Sequence, residues 1–190
     1  EILVRSSNVG SVILAKKIGQ QKFKEFIRDT KLLQSPELEI EEVGVPHKIN
    51  WNKCKLETVS FGHGITTTPV QAASTFSAMV NGGILIKPSL IKNRKKTETK
   101  NLISPETSKT INNILRKVVS SENGTAHLAD KDGYYVGGKT GTAEGYANNK
   151  DRINTFISIF PTNKPKYTLL VMLENPQINK ELIYDYRGIK

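Results

Sequence analysis

The run Tyr134-Tyr135-Val136-Gly137-Gly138-Lys139-Thr140-Gly141-Thr142-Ala143 constrains the fold of this chain more than any other stretch. Aromatic and β-branched residues favour a pleated strand, whereas paired glycines, a lysine and a Thr-Gly-Thr are foreign to the interior of a sheet. The pattern predicts a strand with an open edge, where the glycines let another backbone come close and the lysine and hydroxyls crowd one rim. Such an edge can take up an extended peptide as an added strand. The charge of Lys139 would draw the peptide's carboxylate, and the hydroxyls of Thr140 and Thr142 would hydrogen-bond it. A glycine-rich hairpin with a solvated lysine fits the same residues, and the run alone does not separate the two.

The 190 residues suit one domain with a sizeable core, because 37% are hydrophobic and only 24% charged. Helical signals come first. Val9, Val12, Ile13 and Lys16 recur at helical spacing behind Ser7 and Asn8, either of which can cap a helix, and Gly19 ends it. Phe23, Phe26 and Ile27 predict a second helix facing the same core. Residues 34–55 read as an irregular connection with an acidic patch at Glu37, Glu39, Glu41 and Glu42, ending on Trp51 as an anchor beneath a loop. A tight turn around His63 leads to Thr68-Pro69, the start of a capped, buried helix that closes at Asn81-Gly82-Gly83. Ile84-Leu85-Ile86 fits a short strand, and Ser104-Pro105 opens a further helix with Ile111, Ile114, Leu115 and Val118 on one face. Asn123-Gly124-Thr125-Ala126 breaks that helix. After the Lys139 strand, residues 153–160 and 167–173 read as two strands joined by a turn at Pro161 to Pro165. Helices followed by an antiparallel meander place the chain in the α+β class, with residues 1–133 mostly helical, 134–176 forming sheet strands and 177–190 a shortened C-terminal connection.

Charge and cysteine content narrow the function classes. The net charge is +10, and residues 87–117 alone hold nine basic and two acidic side chains. Arg94-Lys95-Lys96 has no interleaved aromatics, so it reads as a solvated loop and not as a nucleic-acid surface; attraction to an anionic membrane or polymer is the functional alternative. Cys54 is the one cysteine, which excludes an internal disulfide and a Cys-x-x-Cys metal site. A nucleophilic pairing of Cys54 with His47 or His63 competes with the ordinary case of a small buried thiol.

Ser6-x-Asn8, then Ser60-Phe61-Gly62-His63-Gly64 through Gly83, then Gly137-Gly138-Lys139-Thr140-Gly141, taken in this order, resemble the penicillin-binding proteins. Pro161 to Pro176 followed by Tyr184-Asp185-Tyr186-Arg187-Gly188 is most similar to the division-type, class B members, with the elongation type as nearest competitor. The resemblance implies a penicillin-binding or serine β-lactamase-like fold with an incomplete antiparallel sheet and a helical subdomain. It implies a peptidoglycan D,D-transpeptidase in septal wall synthesis, acting on stem peptides ending in D-Ala-D-Ala and on lipid-linked precursor, and acylated by β-lactams. By resemblance Ser6 would relay a proton, Asn8 would hydrogen-bond the substrate amide, and Lys139 would hold positive potential beside both. Thr140, Gly141 and Thr142 would bind the carboxylate, with the backbone N–H of Thr142 as an oxyanion donor. No cofactor and no metal are implied. A glycan polymerase and other division proteins are the implied partners, and the implied location is the periplasmic face of the inner membrane through an N-terminal anchor.

The family's nucleophile motif, Ser-x-x-Lys, should stand some tens of residues before Ser6, so the chain is expected to be a C-terminal part of the domain that does not acylate by itself. The Ser-x-x-Lys at Ser89 to Lys92 lies in the basic loop right after Pro88, where a lysine is not buried enough to serve as a base. Two other classes stay open: a non-catalytic β-lactam receptor or scaffold, and a serine β-lactamase with Glu144 as a candidate water-activating carboxylate.

Overall fold

The computed structural model describes residues 1–52, 54–94, 99–144 and 152–177. They fall into two compact units: a helical one, Ile2 with Ser7–Ile111, and a sheet unit made of Glu1, Leu3–Ser6 and the described chain from Asn112 onward.

In the helical unit, α1 (Asn8–Ile18) starts where the Ser7 Oγ accepts the Gly10 N–H at 3.1 Å, a cap worth about 1 kcal/mol. Gly19, at φ 86°, ends α1 and leads into α2 (Gln20–Asp29). The expected common core under these two helices is not there. Ala15 is the buried residue of α1, α2 has none, and Val9, Ile13 and Phe26 are exposed. A six-residue helix that the sequence pattern did not signal, α3 (Lys55–Ser60), packs on α1 and buries Leu56 and Val59, with Lys16 paired to Glu57 at 3.2 Å. An apolar stripe is buried only where something opposes it, and α3 is too short to cover α1 along its length. Cys54, just before α3, is exposed and left-handed at φ 65°, contrary to the expectation of a buried thiol. The ring of His63 stacks on Phe61 instead. Trp51 is half-buried with the Lys24 ammonium 5.0 Å over its ring.

Thr68 caps α4 (Pro69–Val80) by accepting the Gln71 N–H at 3.2 Å, and Gln71, Ala78 and Val80 are buried. Strands β1 (Ile84–Ile86) and β2 (Thr99–Asn101) pair antiparallel, the second unforeseen. The acidic patch and the basic loop meet at Glu39. Its carboxylate accepts the Ser89 hydroxyl at 2.7 Å and the Leu90 N–H at 2.9 Å, and pairs with Arg94. Those bonds, the backbone N–H of Leu90 first, hold the Glu39 pKa down at about 2. Lys95 and Lys96 lie outside the described residues.

Helix α5 (Pro105–Ser120) begins where Ser104 accepts the Thr107 N–H. Its last turns belong to the sheet unit, where Val118 and Val119 form a core with Val4 and Ala126, flanked by Ala129, Val136 and Phe156. The sheet is antiparallel in the order β3 (Gly137–Glu144), β4 (Arg152–Phe160), β5 (Tyr167–Glu174). The strand begins at Gly137 and not at Tyr134. Tyr135 is left-handed at φ 51° and gives its carbonyl to Thr162, and the Val136 carbonyl accepts from Arg116, so neither is free to join the ladder. Arg116 also holds Asp130 with two hydrogen bonds, at 2.8 and 3.1 Å.

The two glycines make room for the protein itself. A Cβ at position 137 would stand 2.4 Å from the Thr162 methyl and 3.0 Å from the Arg116 nitrogen. At position 138 it would stand 2.6 Å from the Ile157 carbonyl and 2.7 Å from the Phe156 ring. The backbone that comes close at Gly137 is that of α5, while at Gly138 the neighbouring strand's Ile157 carbonyl and the Phe156 ring fill the space. The open edge itself is present: among the described residues β3 is laddered to β4 alone. No helix among them is long and apolar enough to cross a membrane.

Candidate active site

Ser6 ends the turn Leu3–Ser6, with its N–H on the Leu3 carbonyl at 3.3 Å and its backbone left-handed at φ 51°. Left-handed backbone is strained for a serine, so the turn is held by its surroundings. Val4, 8% exposed, anchors it in the core, and its carbonyl accepts the Thr125 N–H at 3.3 Å. Lys139 comes from the other side, the third residue of β3. Its Nζ donates to the Ser6 Oγ at 2.7 Å and to the Thr140 carbonyl at 2.8 Å. The side chain is half-buried, and desolvation lowers its pKa from 10.5 by disfavouring the ammonium.

Ser6 accepts a hydrogen bond from Lys139, which leaves the serine's own proton free to be donated and replaced. The Thr140 hydroxyl donates to the Thr125 Oγ1 at 2.9 Å, and Thr142 is exposed two residues on, opposite Asn154 in the register. Gly141 receives the Thr155 hydroxyl on its carbonyl at 3.4 Å. Ser6, Lys139, Thr140, Gly141 and Thr142 thus lie within the sheet unit. Asn8 is the first residue of α1, exposed, and belongs to the helical unit.

Ser89 is not set up as a nucleophile. Its hydroxyl points at Glu39, whose pKa of about 2 makes it too weak a base to take that proton. Glu144 closes β3 opposite Arg152 in the register. No group of three or more metal-ligating side chains occurs among the described residues. In the sequence Thr125 is marked only as part of a helix break. Its partner is Thr140, fifteen residues away on another element, and no local pattern announces such a contact.

A serine and a partly desolvated lysine are thus joined by one hydrogen bond beside an open strand edge. The chain belongs to the penicillin-binding protein transpeptidase domain family, which matches residues 1–187. It is 31% identical to "Probable peptidoglycan D,D-transpeptidase FtsI" of Caulobacter vibrioides, over 94% of this chain and 33% of that protein. It is 33% identical to stage V sporulation protein D of Bacillus subtilis, over 93% and 30%. The chain therefore spans about a third of the length of these relatives. In fold it is similar to penicillin-binding protein 3 of Mycobacterium tuberculosis, solved with aztreonam, with a TM-score of 0.85 at 24% identity over 92% of this chain and 44% of that one. The transpeptidase domain of Burkholderia pseudomallei penicillin-binding protein 3 gives the same score, covering 92% and 55%.

Proposed function

We propose that these residues are the relay and substrate-binding half of a class B peptidoglycan D,D-transpeptidase that works in septal wall synthesis. The observation that carries this is the 2.7 Å hydrogen bond between Lys139 and Ser6, residues 133 apart in sequence and adjacent in space. The reaction has two halves. The family's Ser-x-x-Lys serine attacks the carbonyl between two terminal D-alanines; a proton reaches the leaving amine through Ser6, and D-alanine departs. The amine of a neighbouring stem peptide then attacks the ester, and its proton returns to the serine oxygen as the cross-link forms. Lys139 holds Ser6 in place for both transfers and keeps positive potential beside the donor's carboxylate, which Thr140 and Thr142 bind. Asn8 serves the substrate amide. The similarity to a protein named FtsI supports the septal assignment, and the solved relative with aztreonam supports β-lactams as substrate mimics. Lipid-linked and polymeric peptidoglycan, a glycan polymerase and other division proteins are the partners of this reading, at the periplasmic face of the inner membrane.

The test is acylation of the intact protein that carries this sequence by a fluorescent penicillin, followed in time. Ser6→Ala and Lys139→Ala are expected to slow acylation roughly a hundred- to ten-thousandfold, the range for losing a positioned acid or base. Wild-type rates in both variants overturn the reading, and reversible binding with no adduct at all turns the protein into a receptor module.

A further inference from the structure

The helical unit holds a cavity of about 650 Å³, a size that suits a small molecule. Three lysines, Lys31, Lys87 and Lys100, line it against one carboxylate, Glu37, and Leu85, Ile86 and Pro88 give it an apolar wall. None of the residues assigned above to the transpeptidase reaction is part of its lining. The cations are fixed from behind. Gln71, 5% exposed, donates to the Lys31 carbonyl at 2.6 Å and helps hold Lys31 in left-handed backbone at φ 56°. The Ser74 hydroxyl binds the Ile86 carbonyl at 3.2 Å, just before Lys87. In the ladder Lys100 stands opposite Leu85, and Leu85 is two residues before Lys87. An apolar side chain thus has one cation across the ladder and another along the chain.

These cations already hold carboxylates of the protein itself. The Lys87 ammonium is 2.7 Å and the Lys31 ammonium 3.9 Å from Glu37, and the Lys100 ammonium is 3.0 Å from Asp29. The hydrogen bond from Lys87, and after it the charge of Lys31, lowers the Glu37 pKa; the hydrogen bond from Lys100 does the same for Asp29. The Glu37 side chain is nevertheless 59% exposed, so it can turn into water at little cost. An acid that also covers the apolar wall has the advantage over it.

We propose that this cavity binds a small organic acid with a carboxylate at each end of a short apolar stretch, and that Glu37 is the built-in competitor it displaces. One end lies on Lys87 and Lys31, where Glu37 sits in the empty site. The other lies on Lys100, which keeps Asp29 as well because an ammonium has three donors. The stretch between them covers Leu85, Ile86 and Pro88. Only hydrogen bonds and ion pairs change partners.

The test is isothermal titration calorimetry of the intact protein that carries this sequence with suberate, an eight-carbon dicarboxylate, in low-salt buffer. Suberate is expected to bind with a Kd of about 1 mM, ordinary for a ligand of its size. The uncharged 1,8-octanediol is expected to bind at least about tenfold more weakly, and Lys87→Gln to weaken suberate about tenfold, the loss of a charge-assisted hydrogen bond. Glu37→Gln is expected to tighten suberate about three- to fivefold, since an exposed ion pair no longer competes. A gain in affinity cannot come from misfolding, so this variant decides the matter even where Lys87→Gln is unstable. Absence of suberate binding in both wild type and Glu37→Gln overturns the site. Equal binding of the diol overturns it as well, and an unchanged or weaker affinity in Glu37→Gln overturns the competitor.

Discussion

The two outer strands of the three-stranded sheet are opposites. β3 carries Gly-Gly-Lys-Thr-Gly-Thr, and its rim is polar. On β5, Tyr167, Leu169, Val171 and Leu173 alternate onto one face, at 62, 48, 42 and 55% exposure, and Met172 is exposed on the other. A polar rim loses little when it stands in water, and it regains those hydrogen bonds when a peptide lies along it. An apolar strand gains nothing from water and about 25 cal/mol for each Å² that is covered. One edge is thus suited to a ligand that comes and goes, and the other to a lasting cover. Edge position alone says nothing about which; side-chain chemistry decides it.

That contrast can be broken most severely at Gly138. If β3 tolerates side chains as β5 does, Gly138→Val should be harmless. The Phe156 ring and the Ile157 carbonyl instead predict a loss of about 3 kcal/mol, read as a shifted urea midpoint, because a carbonyl in a ladder cannot step aside. A midpoint unchanged from wild type would show that the neighbours of Gly138 give way to a side chain. A smaller effect is expected on β5. Leu169→Lys combined with Leu173→Lys should leave this chain less self-associating than wild type when sedimentation velocity is run at rising concentration, with stability altered by only about 0.5 kcal/mol. Unchanged association would show that β5 is not the adhesive edge.

The smallest effect is electrostatic and sits on β3. Burial lowers the pKa of Lys139 below 10.5, so the unfolded chain holds that proton more tightly than the folded one. The penalty is complete below the folded pKa and disappears above 10.5. Wild type should therefore gain stability relative to Lys139→Met as pH rises towards 10.5, in urea titrations run at several pH values between neutrality and that limit. A constant difference would mean that Lys139 is as solvated as the exposed residues of β5.

Much of the scaffold was legible because its causes are local. The caps at Ser7, Thr68 and Ser104 each act within three residues, and the apolar runs of β4 and β5 needed only a turn between them. The motif order from Ser6 to Lys139 was legible as a family resemblance, and the family is the one found. Local signals failed where a segment's conformation is set by a distant neighbour. Helix α3 has only Leu56 and Val59 to mark it and forms against α1; Tyr134 and Tyr135 look like strand but lie outside it because Thr162 and Arg116 claim the carbonyls of residues 135 and 136.

By itself, the sequence determined the secondary structure that caps, glycines and alternation control, along with the chemical character of each edge. The tertiary structure alone decided that Lys139 reaches Ser6, that Gly137 and Gly138 make room for α5 and Phe156, and that Thr125 faces Thr140. The reason is physical. A hydrogen bond or a van der Waals contact extends only a few ångströms, so between residues 15 or 133 positions apart it exists only once the core around Val4, Val118 and Phe156 has brought them together.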